Sequence, residues 1–192
     1  MIRFDAEAAV PEPKPYKLCT FSRVMREKGI EDAIDAVEVI NQKWNRPVFR
    51  LDIYGQIEDS YKEKFNSMQK EFPSYIHYGG LIPFDRTVEI LRHYYALLFP
   101  TYHKGEGFAG TLIDAMAAGL PVIASNWRYN KEVVRPGKTG VLINNCNAKK
   151  IEEELVKIVE NPDEWNAMRT STLEEAHRYE PEEAIKPLMK RL

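Results

Sequence analysis

Residues 96–118 read ALLFPTYHKGEGFAGTLIDAMAA, and four features follow in order: a buried strand, a proline that stops it, a glycine-rich turn and the start of a helix. Gly105, Gly107 and Gly110 spell G-x-G-x-x-G. A glycine turn feeding a helix N-terminus presents free backbone N–H groups and the positive end of the helix dipole, which suits a phosphate or diphosphate. A dinucleotide fold fails two requirements here. Its fingerprint belongs on the first strand, and an acid ending the next strand should hold a ribose. These glycines follow the fourth strand, and the next strand ends in Ser125–Asn126. Two carboxylates strengthen the anion reading instead: Glu106 lies within the turn and Asp114 in the first turns of the helix. Flanking amides that hold a diphosphate, they can accept hydrogen bonds from sugar hydroxyls on either side of it.

Outward from this stretch, short β-like runs alternate with helical ones. The strands are expected at Lys17–Phe21, Val48–Tyr54, Tyr75–Tyr78, Ala96–Phe99, Pro121–Ala124 and Gly140–Ile143. Amphipathic segments lie at Ile30–Trp44, Ser60–Phe72, Asp85–His93, Thr111–Ala118, Lys131–Val134 and Ala148–Glu160, with more helix from Pro162 onward. Such alternation predicts a Rossmann-like α/β domain: a parallel sheet of about six strands between two helical layers, over residues 16–192. Residues 1–15, with three prolines between positions 11 and 15 and no hydrophobic period, read as a linker or tail. In these sheets chemistry gathers where strand-to-helix loops converge, at the carboxyl ends of the strands.

Composition narrows the classes. Hydrophobic residues make up 44% of the 192-residue chain and charged ones 29%, which excludes global disorder. Lys plus Arg number 27 against 29 Asp plus Glu; a net charge of −2 gives no polycationic field for nucleic acid. Cys19 and Cys146 stand far apart, so no CxxC pair or zinc cluster can form from them, and a reducing compartment is expected. Met1–Val10 carries acids and lacks the form of a secretory signal, and no apolar run approaches the roughly 18 residues of a membrane span. A cytoplasmic location is expected, with the inner face of the membrane as an alternative and any membrane contact peripheral.

The loop after the first strand, FSRVMREKG at residues 21–29, places Arg23, Arg26 and Lys28 within six residues. Facing the glycine loop across the same sheet edge, three cations would complete a cage for a diphosphate. Arg23 and Lys28, the run from Glu106 through Asp114 to Ser125, and PGKTGVL at residues 136–142 together resemble the C-terminal, donor-binding domain of group 1 (family 4) retaining glycosyltransferases of the GT-B fold. The resemblance implies that Arg23 and Lys28 bind a donor diphosphate, that Glu106 contacts its hexose, and that these three residues carry the catalytic work. It further implies that amides of Gly107, Phe108, Ala109, Gly110, Thr111 and Leu112 hold sugar and phosphates, that Asp114 bonds the ribose, and that Ile82 meets the base through its backbone. In the family the last acid is usually Glu, so Asp114 is one methylene short.

The implied reaction moves a hexose from a nucleoside diphosphate sugar to an acceptor hydroxyl with retention, in polysaccharide or glycoconjugate synthesis. No D-x-D occurs, so no metal is expected, and no cofactor beyond the donor itself. The acceptor site belongs to an N-terminal domain that would precede this segment, in cis or in trans, so little activity is expected from these residues alone. A different class of reading is a non-catalytic nucleotide-sugar-binding module or one subunit of a split enzyme. His103 and Lys104 are given a minor role, because a loop histidine is more often solvated than catalytic.

Overall fold

The structure, a computed structural model, describes residues 15–189, so the tail expected over residues 1–15 lies outside the described residues except for Pro15. Six strands, β1 (Tyr16–Phe21), β2 (Phe49–Tyr54), β3 (Ile76–Gly80), β4 (Ala96–Phe99), β5 (Val122–Ser125) and β6 (Gly140–Ile143), form one parallel sheet in the order β3-β2-β1-β4-β5-β6. The expected strands are all present, β4 and β6 with the expected bounds and the other four with ends shifted by one or two residues. Among the described residues, helices α1 (Ile30–Lys43), α2 (Lys62–Lys70), α3 (Thr87–Leu91), α4 (Gly110–Ala117), α5 (Asn130–Val133), α6 (Ala148–Glu160), α7 (Pro162–Ala176) and α8 (Pro181–Met189) accompany the sheet, together with four short 3-10 turns. The helix expected over Ser60–Phe72 is shorter: it opens with a 3-10 turn at Asp59–Tyr61, and α2 stops ahead of Phe72, whose successor Pro73 disfavours helical backbone. The one expected over Asp85–His93 likewise begins as a 3-10 turn, Phe84–Arg86, and keeps only the five residues of α3.

All four residues of β4 are buried, as a strand covered on both faces must be. On one face Leu18, Leu51, Ile53, Leu98 and Ile123 pack with Ile34 and Val37 of α1 and Leu155 of α6. On the other, Cys19, Leu97, Phe99 and Val122 pack with Leu112 and Met116 of α4. Asn41 near the end of α1 fixes the entry to β2: its Oδ1 accepts from the amides of Val48 (2.8 Å) and Phe49 (3.0 Å), and its Nδ2 donates to Phe49 O (2.8 Å). At the far side of the core Arg169 of α7 is 2% exposed and donates to the carbonyls of Tyr94 (3.1 Å) and Arg92 (3.4 Å). Burial pushes this guanidinium down to about 10. Among the described residues no helix is long and apolar enough to cross a membrane.

The chain builds outward from β1 through β2 to β3, returns through α3, and continues from β4 to β6 on the other side. The loops after β1 and β4 therefore run apart and leave a crevice at the carboxyl edge, the place where open α/β sheets bind ligands.

Candidate functional site

One wall of the crevice is the loop after β1. It is stitched to the loop after β2, with Ser22 N donating to Tyr54 O (3.2 Å), Val24 N to Gln56 O (2.8 Å) and Glu58 N to Val24 O (3.0 Å). This places Arg23 Nη1 3.1 Å from Glu58 Oε2, with the Arg23 side chain 61% exposed. A 3-10 turn, Arg26–Lys28, follows and ends on Gly29 at φ 71°, where α1 begins. That left-handed residue lets the loop approach the end of β4: an ideal Cβ on Gly29 would lie 2.5 Å from Pro100 O.

The approach joins the two walls. Lys28 Nζ lies 2.6 Å from Glu106 Oε2, with side chains only 13% and 8% exposed. The same oxygen accepts from Thr101 Oγ1 at 2.6 Å, and Lys28 Nζ sits 5.8 Å from the Phe99 ring centroid. Glu106 N donates to His103 O (3.1 Å). Beyond Glu106, the N–H groups of Gly107, Phe108, Ala109, Gly110 and Thr111 have no hydrogen-bond partner among the described residues. No side chain caps α4, and its first turn holds no acid. Ideal Cβ atoms at Gly107 and Gly110 would meet nothing within 4 Å. Together these surround a cavity of 370 Å³ with cations on one wall and a run of unpaired amides on the other, a combination complementary to an anion that carries hydroxyl groups.

Of the residues predicted for the site, Arg23, Lys28, Glu106, Phe108, Ala109, Gly110 and Thr111 line this cavity, and Gly107 belongs to the amide run. Leu112 does not: its side chain is in the core and its N–H donates to Ala109 O at 3.0 Å. Ile82 follows β3, two strands from β1, and is not part of the lining. Arg26, expected as a third cation of the cage, lies instead beside Tyr102, Glu31 and Asp32, because the 3-10 turn points successive side chains in different directions. Sequence reasoning passed over Thr101, Glu27 and Trp127. A threonine directly after the strand-ending proline was a possible signal for the first; the other two act through pairings that only the topology reveals. Trp127 Nε1 donates to His103 O (2.8 Å), and Ser125 Oγ to Thr101 O (2.5 Å). Among the described residues no three His, Cys, Asp or Glu side chains are grouped to hold a metal ion.

Asp114, in the second turn of α4, is half-buried, and its carboxylate has no hydrogen-bond partner among the described residues. Burial raises its pKa. The folded state therefore binds the Asp114 proton more tightly than the unfolded chain, so its contribution favours folding at acid pH and is lost as pH rises from the unfolded towards the folded pKa. Asp114→Asn is expected to raise the thermal midpoint at pH 7, with the gain shrinking towards about pH 4, where the unfolded carboxyl also takes up its proton. Scanning calorimetry at both pH values checks this; a lower midpoint at pH 7 would show that the carboxylate is held by its surroundings.

The family model for glycosyl transferases group 1 matches residues 2–175. The chain is 35% identical over 133 residues to the UDP-N-acetylglucosamine–peptide N-acetylglucosaminyltransferase GtfA subunit of Streptococcus pneumoniae, covering 68% of this chain and 25% of that protein. It is 25% identical over 149 residues to an uncharacterized glycosyltransferase of Methanocaldococcus jannaschii, covering 76% of this chain and 36% of the relative. The chain thus spans about a quarter to a third of the length of these curated relatives. Among solved structures, Anabaena HepE in complex with UDP superposes with a TM-score of 0.78 at 15% identity, over 92% of this chain and 48% of that one. The pneumococcal O-GlcNAc transferase GtfA, in complex with UDP and GlcNAc, gives a TM-score of 0.72 at 26% identity, over 93% and 35%.

Proposed function

The chain belongs to the glycosyl transferases group 1 family, and from that membership we propose that residues 16–192 form the donor half of a retaining hexosyltransferase. It binds a nucleoside diphosphate sugar and, joined to an acceptor-binding domain in cis or in trans, transfers the hexose to an acceptor hydroxyl in polysaccharide or glycoconjugate synthesis. The observation that carries this reading is the meeting of Lys28 and Glu106 across the crevice, beside five unpaired amides. The related proteins solved with UDP or with UDP and GlcNAc support the same class of ligand.

In this reading Lys28, Arg23 and the amides of residues 107–111 take the diphosphate. As the bond from the anomeric carbon to the diphosphate oxygen breaks, the electron pair goes to that oxygen, and fixed cations and N–H dipoles are already aimed at the developing charge. Glu106 can only accept, so it takes hydroxyls of the hexose through Oε1, its Oε2 being held by Lys28 and Thr101. Asp114 is assigned to the ribose and the Ile82 backbone to the base. The domain uses no metal in this role, and EDTA is expected to leave nucleotide binding intact. Half a cleft cannot position two substrates, and orientation accounts for about 7–11 kcal/mol of a barrier, so transfer by these residues alone is expected to be negligible.

Calorimetric titration with UDP, UDP-glucose and UDP-N-acetylglucosamine tests the reading. The wild-type chain is expected to bind UDP, and Arg23→Ala to weaken it by less than about tenfold, since a solvated arginine paired with Glu58 gives up less than a buried cation. Glu106→Gln should weaken the sugar nucleotides more than UDP, because only they carry hexose hydroxyls. No UDP binding by the wild type overturns the function; equal effects of Glu106→Gln on all three ligands remove the hexose assignment.

A further inference from the structure

His103 is held on every side but one. Its N–H donates to Thr101 Oγ1 (3.2 Å), and its carbonyl accepts from Glu106 N (3.1 Å) and Trp127 Nε1 (2.8 Å). Its ring Nδ1 lies 2.5 Å from Glu27 Oε2, on the opposite wall of the crevice. The Glu27 backbone is fixed, since its carbonyl accepts from Tyr102 N (2.8 Å), while its side chain is 46% exposed. The ring lies over Gly105, where an ideal Cβ would come within 2.7 Å of Nε2, so glycine leaves that nitrogen room. Of the polar atoms of His103, Nε2 alone has no partner among the described residues, and His103 lines the same cavity as Glu106.

The chemistry of the unpartnered nitrogen follows from Glu27. An ionised carboxylate only accepts, so the hydrogen in the short contact sits on Nδ1; this selects the tautomer in which an uncharged ring offers Nε2 as an acceptor. An acceptor has nothing to offer a phosphate oxygen and suits a hydroxyl. Glu106 lines the same cavity and offers Oε1, with Oε2 already taken by Lys28 and Thr101. We propose that His103 is a second hydroxyl acceptor of this site, oriented by Glu27, which reads the sugar of a nucleoside diphosphate sugar alongside Glu106. Glu27 is then a positioning residue that selects the ring tautomer. The proposal rests on the nucleotide-sugar reading above and assigns to His103 a contact with the sugar, not with the diphosphate.

The experiment compares UDP with UDP-glucose, UDP-galactose and UDP-N-acetylglucosamine by calorimetry on the wild type, His103→Asn and Glu27→Gln, with circular dichroism and thermal midpoints measured alongside. His103→Asn keeps an amide near the position of Nδ1 and removes Nε2. It is expected to weaken the best-bound sugar nucleotide about tenfold while leaving UDP within about twofold, the size of one hydrogen bond lost to a fixed partner. Glu27→Gln can present either its oxygen or its amide to Nδ1 and no longer dictates the tautomer. It should lower the ratio of sugar-nucleotide to UDP affinity at an unchanged thermal midpoint, a readout that a purely structural role would not move. Equal losses for UDP and its sugars, or no loss in His103→Asn, overturn the proposal while leaving Arg23 and Lys28 as a separate test of the donor site. Absence of UDP binding by the wild type overturns both.

Discussion

Lys28→Met is expected to destabilise the domain by about 3 kcal/mol and to abolish measurable UDP binding. The stability loss arises because Glu106, with a side chain 8% exposed, would remain a buried carboxylate held only by Thr101, and removing one partner of a buried pair costs about 3–5 kcal/mol. The Thr101 bond places this case at the lower end. For a domain of this size the thermal midpoint should fall by roughly 6–12 °C. A double variant, Lys28→Met with Glu106→Gln, should recover most of the stability and none of the binding, because the uncharged amide no longer needs the cation. Urea unfolding of the four proteins in this cycle measures the coupling; a single variant as stable as the wild type would show that the pair is solvated enough to be dispensable.

Gly29→Ala should be at least as damaging, for a different reason. The residue stands at φ 71°, and an added methyl would lie 2.5 Å from Pro100 O and 2.8 Å from Pro100 Cγ. Left-handed backbone at a non-glycine residue costs about 1–3 kcal/mol by itself, and the clash with backbone adds to it. A loss of about 3 kcal/mol or more is expected, together with the ligand site, since relief requires the loop carrying Lys28 to move off the end of β4. Gly107→Ala makes the contrast. Its added methyl meets no protein atom within 4 Å, so stability should stay within about 0.5 kcal/mol while the methyl intrudes on the ligand's space. Equal stability losses at the two glycines would contradict this division between a packing glycine and a ligand-facing one.

The sequence made the sheet legible because each strand carries its own punctuation. Ala96–Phe99 is apolar throughout and stops at Pro100, and Gly140–Ile143 follows a glycine turn, so both were placed to the residue. Short amphipathic stretches were less legible. Residues 84–86 and 59–61 fold as 3-10 turns, whose hydrophobic spacing over three residues cannot be told from the opening of an α-helix. In the site, Lys28 and Glu106 could be proposed because their loops sit at adjacent carboxyl ends, but their 2.6 Å contact depends on Gly29 and Pro100 packing together, which no local pattern encodes. Arg26 shows the limit in the other direction: three cations within six residues do not share a face once the backbone turns. Glu27 and His103 stand 76 residues apart and are ordinary loop residues by any local measure. Only the crossing from β3 back to β4 brings them together.

The pairing beneath the crevice bears on its stiffness. β1 and β2 share six registered residue pairs, whereas β1 and β4 share two, Leu18 with Ala96 and Cys19 with Leu97. The shortest ladder of the sheet thus runs directly under Lys28 and Glu106, between two halves that are each more extensively bonded. Two further backbone bonds close the same seam, Tyr95 N to Lys17 O (2.6 Å) where β4 begins and Tyr102 N to Glu27 O (2.8 Å) beyond its end, so the spacing of the cation and the carboxylate is set by the bonds between the loops as much as by the ladder beneath them.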